Sequence, residues 1–279
     1  DLTPSKRREL TSWMVDSFHV SVRQASECAL LPRSCYYYRP SKRDDSAERA
    51  RIREIAEARV RYGMWRIHTL MRREGWVINH KKTHRIYCEE GLNLRRRRPR
   101  RRVAAAHRQE RPTVTAPDQV WSMDFVADEL YNGRRLRALT IVDNFSRQAV
   151  AITVDHRING EAVVAVMGRL TAKGRLSQRI QVDNGSEFIS KALDKWAYEH
   201  QVELDFSRPG KPTDNPFIES FNGSFRDECV NLHWFLDLKD AREKIAAWQK
   251  EYNEFRPHSS LAGQPPQAVY EKYQQAAIL

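Results

Sequence analysis

The sequence predicts an α/β domain in the second half of the chain, preceded by small, strongly basic all-α modules. Three observations carry this. Of the 48 Lys plus Arg and 36 Asp plus Glu in 279 residues, positions 1 to 111 hold 28 basic and 13 acidic side chains, a net of +15, whereas the remaining 168 hold 20 and 23, a net of −3. Hydrophobic periodicity is helical up to about residue 94 and strand-like from residue 120. Between the two regimes lie seven arginines in eight residues, Arg95 to Arg102, which repel one another and cannot pack, so 95–117 is predicted to be a linker.

In the first module, 1–45, Leu10, Trp13, Met14 and Val15 mark a helix over 5–17, and Ser21 opens a second helix through Cys28. A turn at Leu30 to Pro32 leads into 33–39, where Arg33 and Tyr36 are candidate DNA contacts. Short helix, tight turn and short helix read as a helix-turn-helix, although an ordinary helical hairpin has the same pattern. The second module, 46–94, has Ile52, Ile55 and Val60 on one helix, Ile67, Leu70 and Met71 on the next, and Ile86 and Tyr87 on a third, with Gly63 and Gly75 between them. Its last helix presents His80, Lys81, Lys82, His84 and Arg85, a basic face suited to a groove; Arg66 precedes it. Two basic modules in tandem argue for bipartite binding of duplex DNA, with Arg95, Arg96, Arg97 and Arg98 adding phosphate contacts.

Other readings of the same residues are weaker. His80 and His84 have a metal-like spacing, but no C-x-x-C completes a four-ligand set, so no zinc is expected. Cys28, Cys35, Cys88 and Cys229 are too few and scattered for a disulfide framework and read as reduced thiols. No apolar run reaches the roughly 20 residues of a membrane span and no signal peptide opens the chain, so no membrane partner is expected and a soluble, cytoplasmic protein is.

Beyond the linker, Val120 to Val126, Leu136 to Val142 and Ala149 to Val154 are predicted strands separated by short turns. A helix over 160–172, a strand over 179–182, a helix over 188–200, a strand over 202–206 and a helix from about Thr213 follow. Three meandering strands and then alternating helix and strand give a mixed five-stranded sheet, the order of the ribonuclease-H-like fold, over 118–231. A helical extension covers 232–279.

Three carboxylates stand out within this order. Asp124 lies inside the first strand, where a charge is costly unless paired or metal-bound. Asp183 ends the fourth strand, where ligand sites of open α/β sheets collect. Glu219 follows after 35 intervening residues, on a helix with Thr213 or Asp214 as N-cap and Pro216 in its first turn. Carboxylates from three distant segments can hold two hard cations for in-line displacement at phosphorus. Asp143 is the most serious rival, read as anchoring its own turn; Glu187, Asp205 and Asp214 are others. Asn222 and Arg226 lie three and seven residues after Glu219, on its face of the helix, and Arg226 is predicted to point toward DNA.

Trp121-Ser-Met-Asp124, Val182-Asp183-Asn184-Gly185-Ser186-Glu187-Phe188, Pro209-Gly210-Lys211-Pro212-Thr213-Asp214-Asn215 and Phe217-Ile218-Glu219-Ser220-Phe221-Asn222-Gly223 together resemble the D,D,35,E transposase and retroviral-integrase superfamily. Arg256-Pro257-His258-Ser259-Ser260-Leu261 and the Tyr62 to Lys81 region resemble, within it, the second-frame product of bacterial insertion sequences. The resemblance implies a Mg²⁺-dependent transposase, with Mn²⁺ able to substitute. Such an enzyme cuts the element's ends and joins the freed 3′-hydroxyl to DNA with no covalent enzyme intermediate. It implies Asp124, Asp183 and Glu219 as catalytic metal ligands and Arg226 as the basic residue seven after the glutamate; Asn222 and Lys211 are further candidate DNA contacts. The implied partners are terminal inverted repeats, target DNA, at least one further copy, and an upstream-frame product fused to or associated with this chain, all at the bacterial nucleoid. A start at Asp1 suits either a trimmed chain or the downstream part of such a fusion. Met64 stands where the family usually has an aromatic and Asn144 where an Asp is usual. Against these readings stand a sequence-specific DNA-binding regulator, which leaves the carboxylates unexplained, and a metal-dependent nuclease without strand joining.

Overall fold

The computed structural model describes residues 2–39, 44–94, 114–207 and 215–278, in two compact units, 1–50 and 51–279. In the first unit, α1 (Pro4–Phe18), α2 (Val22–Cys28) and α3 (Arg33–Tyr37) follow the predicted order. Thr3 caps α1 by accepting from the Lys6 amide, and Ser21 with Gln24 forms a reciprocal capping box at α2. The Arg8 guanidinium donates twice to the Cys35 carbonyl, at 3.1 and 2.7 Å, and pins α3 to α1. The apolar stripe expected on α1 does not form the core: Thr11 is the buried residue of that helix and Trp13 is 54% exposed. Ala25, Ser26, Ala29 and Leu31, from α2 and the turn after it, are enclosed instead.

In the second unit the 51–58 part of α4 (Ser46–Ala58), α5 (Met64–Arg73) and α6 (His80–Glu89) share a core of Ile52, Ile55, Ile67, Leu70, Met71, Ile86 and Tyr87. Val60, expected on that face, is exposed because α4 stops at Ala58 and the chain leaves helical register. The α/β part comprises β1 (Val120–Glu129), β2 (Arg135–Asp143), β3 (Ala149–Asp155), α7 (Gly160–Ala172), β4 (Arg179–Val182), α8 (Lys191–Glu199), β5 (Glu203–Phe206), α9 (Pro216–Glu228), α10 (Leu238–Glu254) and α11 (Pro266–Ile278). Its mixed sheet runs β3-β2-β1-β4-β5. β1 is therefore central, antiparallel to β2 and parallel to β4.

Strand alternation decides which face each residue of β1 serves. Trp121 and Met123 join Leu139, Ile141 and the α7 and α8 residues Val163, Met167, Leu193 and Trp196 in one core. Val126 joins Ala138, Val142 and the α9 and α10 residues Ile218, Phe221, Phe225 and Ile245 in the other. Asp124, of even parity, faces α9. Two helices begin later than predicted. Phe188 belongs to the turn before α8, which Ser190 caps, and Asn215 is the N-cap of α9, with Pro216 setting the first helical φ. Thr213 and Asp214, along with Lys211 and the arginines of 95–98, lie outside the described residues. No helix among the described residues is long and apolar enough to cross a membrane.

Phe188 is fully buried and stacks on Phe125 at 5.1 Å between ring centroids. Phe188→Ala should cost about 3–5 kcal/mol of unfolding free energy, measured by denaturant titration; an unchanged midpoint would show that the turn after β4 is not held by this packing.

Candidate active site

Asp124 is half-buried in the central strand, opposite Thr140 of β2. One carboxylate oxygen accepts from the Phe125 amide at 2.7 Å, and the other accepts from the Asn222 side-chain amide at 2.8 Å. The Thr140 hydroxyl lies 2.9 Å from Asn222 Oδ1 and 3.0 Å from the Asp124 carbonyl, which fixes the orientation of the Asn222 amide. Burial, reinforced by the charge of Asp183, raises the Asp124 pKa above the ordinary carboxylate value, against these hydrogen bonds and the more distant Arg226. Asp124 and Asp183 are thus within electrostatic reach of each other although 59 positions apart in sequence.

Asp183 follows β4 directly and is exposed. Its Oδ1 accepts from the Gly185 amide at 3.1 Å, and a Cβ at Gly185 would meet that oxygen at 3.0 Å and Glu187 Oε2 at 3.2 Å. A side chain there would crowd the carboxylate and push it or Glu187 aside. Glu219 is exposed on the first turn of α9, the helix that carries Asn222. All three are oxygen donors, the chemistry that suits a hard divalent cation, and the cost of a desolvated Asp124 carboxylate near a second aspartate is what such a cation relieves. Among the described residues no three Asp, Glu, His or Cys side chains converge as one metal-holding group, so Glu219 is not drawn in beside the two aspartates.

The rival carboxylates are occupied elsewhere. Asp143 is fully buried, accepting from the Asp118 amide at 3.0 Å, the Ser146 amide at 2.7 Å and the Ser146 hydroxyl at 2.5 Å, so it holds the turn after β2. Glu187 pairs with Arg137, and Asp205 accepts from Gln181 at 3.2 Å. Asp214 lies outside the described residues.

The residues expected at DNA divide into three groups. Arg226 is exposed and leans on the Ala127 carbonyl at 3.4 Å; His80, Lys81 and Arg85 are exposed on α6, and Arg33 on α3. His80 stacks against the exposed Trp65 ring at 5.4 Å. Lys82 and Tyr36 are half-buried. Two behave differently from expectation. Asn222 is 7% exposed, its amide consumed by Asp124 and Thr140, so it serves the carboxylate from inside. Arg66 is bonded to Glu228 at 2.7 Å. Thr140 was not legible as a site residue, because a threonine in a buried strand carries no motif signal until its hydroxyl is seen against Asn222. A cleft of about 990 Å³ runs along α9, lined by Trp65, Arg66, Arg147, Phe217, Ser220 and Arg256, among other side chains.

Because folding raises the Asp124 pKa, the folded state binds the proton more tightly, and Asp124 weakens the fold as pH rises above the unfolded value of 3.8. Asp124→Asn, neutral at every pH, should therefore melt higher than wild type near pH 7, with the gap closing toward about pH 4. Thermal melts in matched buffers check this; a variant that melts lower throughout would show that the carboxylate is not strained.

A model described as an HTH-like domain matches residues 42–100, and two described as an integrase core domain match 114–212 and 200–266. The chain is 45% identical over 264 residues to the 31.7 kDa protein of insertion element IS407 from Burkholderia multivorans, covering 94% of this chain and 95% of that one. It is 41% identical over 273 residues to the 39.2 kDa protein of insertion element IS476 from Xanthomonas euvesicatoria, covering 98% and 79%. Among solved structures, a chain of the simian T-cell lymphotropic virus intasome superposes with a TM-score of 0.50 at 15% identity, covering 78% of this chain and 74% of that one, a likeness of fold. The ribonuclease-H-like order, the HTH-like helices ahead of it and this degree of identity place the chain in the insertion-element transposase family of the integrase-core superfamily.

Proposed function

We propose that the chain cuts the 3′ ends of its element and joins the freed 3′-hydroxyl to target DNA, with Asp124, Asp183 and Glu219 as the catalytic carboxylates. The observation that carries this is Asp124: a half-buried carboxylate in the central strand, its pKa raised by burial and, secondarily, by the charge of Asp183, and held by an asparagine on the helix that bears Glu219. Membership of the integrase-core family implies a polynucleotidyl transferase, and a purely DNA-binding regulator has no use for a carboxylate desolvated in its central strand.

Asp124, Asp183 and Glu219 would hold Mg²⁺, with Mn²⁺ able to replace it. Bound there, the cations supply charge for in-line displacement at phosphorus, activating the attacking oxygen and stabilising the leaving one. The chain's own residues do the rest. Asn222 keeps one Asp124 oxygen turned toward α9 while the Phe125 amide holds the other, so the carboxylate cannot rotate away. Arg226, two helical turns and about 10 Å beyond Glu219, grips a phosphate flanking the scissile bond through two N–H groups at once. Lys211 and the arginines at 95–98 add phosphate contacts from their segments. The basic face of α6 and the first helical unit hold the terminal repeats, and joining two ends requires at least two copies of the chain.

Two sets of variants test the reading on duplexes carrying the element's ends, with cut and joined products resolved on denaturing gels. Asp124→Asn, Asp183→Asn and Glu219→Gln should each remove cutting and joining by several orders of magnitude, since uncatalysed phosphodiester cleavage is so slow, while DNA affinity survives. Near wild-type activity in any of them would sink the assignment, and cutting without joining in wild type would make the chain a nuclease. Arg226→Ala should lower joining through weaker placement of the end, with Arg226→Lys retaining part of the activity. If Arg226→Ala instead raises the Mg²⁺ requirement at unchanged end affinity, the arginine supports the metal site and does not hold DNA.

A further inference from the structure

Glu228 closes α9, nine residues after Glu219 and therefore on the opposite side of the helix, about 13 Å along its axis. Its side chain is 9% exposed and is shared between two guanidinium groups from different parts of the fold. Arg256, just after α10, donates from Nε to Oε2 at 2.6 Å and from Nη2 to Oε1 at 2.7 Å. Arg66, on α5, donates to Oε1 at 2.7 Å. Arg256 is itself 4% exposed; its Nη2 also reaches the Ser224 hydroxyl on α9 at 3.1 Å, and its Nη1 reaches His258 Nε2 at 3.1 Å. Burial and the Arg256 charge push the His258 imidazole down to about 2, so it stays neutral and accepts that bond.

This cluster is the centre of a longer seam. Arg73 of α5 donates to the Phe255 carbonyl at 2.7 Å and to the Gly263 carbonyl, Gly263 lies in the left-handed region at φ 81° where a Cβ would press on Thr69 at 3.1 Å, and Arg59 pairs with Glu251 of α10 at 2.7 Å. α6 shares its core with α5, so its exposed basic residues are carried at a fixed place relative to α9. Apolar contacts alone would let α5 slide. A buried carboxylate gripped bidentately by one guanidinium and by a second from another helix is directional, poorly screened by salt and costly to break, and so it fixes register.

We infer that Glu228, Arg256 and Arg66 are positioning residues that set the distance between the DNA sequence held by α6 and the bond cut beside Glu219. The Arg-Pro-His segment is thereby the joint between DNA reading and cutting. This rests on the reading of the chain as an end-cutting transposase. The joint ties the cut site to the geometry of the protein, independently of the catalytic carboxylates.

The test uses the full chain. Nitroxide labels at the exposed positions Glu57 on α4 and Lys195 on α8, with Cys28, Cys35 and Cys88 replaced by serine, report the spacing of the two parts by electron–electron dipolar spectroscopy. A 5′-labelled duplex bearing the element's terminal repeat reports where cutting falls. Arg66→Ala leaves the Arg256–Glu228 pair intact and removes the α5 arm alone. It should broaden the distance distribution and lower the share of cuts at the main phosphate about threefold in favour of neighbouring phosphates. Arg66→Lys should restore both, and Glu228→Gln, which also breaks the buried Arg256 pair, should broaden the distribution and scatter the cuts at least as much as Arg66→Ala. An unbroadened distribution in Arg66→Ala overturns the joint whatever the DNA result. Loss of DNA affinity with the cut position unchanged overturns it as well, by making Arg66 a DNA ligand. A wild-type chain that cuts no end refutes the end-cutting reading, and with it the role in cutting, whereas the spin distances still decide separately whether the joint exists.

Discussion

A carboxylate in the middle of a β-sheet is costly, and the architecture around Asp124 is organised to keep it there. Sheet parity puts it on the face covered by α9, where Val126, Ala138 and Val142 would otherwise make an unbroken apolar surface. Asn222 fills that position on the helix, and Thr140 fixes its amide so that the NH₂ group faces the carboxylate. The desolvation is only partly offset, which is why the pKa remains raised. Strain of this kind persists where the surrounding fold over-determines it. Here the over-determination comes from two packed cores, one on each side of β1, that leave the strand no freedom to twist Asp124 outward.

The same constraint explains why α9 is so heavily anchored. Its inner face contributes Ile218, Phe221 and Phe225 to the core, its first turn carries Glu219, and its last residue is held by Arg256 and Arg66. An unanchored helix would let Asn222 drift and release the Asp124 side chain. Anchoring both ends of one helix, by packing and by a buried ion pair, converts a single strained carboxylate into a site with defined geometry.

Much of this was legible in the chain itself. Strand and helix order, the two ends of α7 and β4, and the positions of Asp124 and Asp183 follow from periodicity and turn residues, because those elements are long or sharply bounded. What could not be read depends on partners distant in sequence. Asn222 shares a helical face with Glu219 and so looks DNA-directed; only the approach of β1 and β2 shows it to be enclosed. Trp13 sits at helical spacing yet remains outside, because spacing says which face is apolar and says nothing of whether anything covers it. The Arg-Pro-His segment was visible as a motif, but its partner Glu228 lies 28 residues upstream with no pattern connecting them.

The charge partition also takes a different physical form from the one composition suggests. A net of +15 over the first 111 residues invites the view that all of it faces phosphate. Several of these arginines are instead committed within the protein: Arg51 to Glu74 and Glu54, Arg53 to Glu90, Arg59 to Glu251 and Arg66 to Glu228. The last two reach acidic residues of the near-neutral half, so part of the asymmetry between the halves is the two sides of one internal seam. Exposed pairs of this kind contribute little to stability individually, but the enclosed one fixes geometry. Exposed basic side chains remain on several elements, among them Arg33 on α3, Lys81 on α6 and Arg226 on α9, and clustered charge steers a polyanion to one place more strongly than the same charge spread evenly.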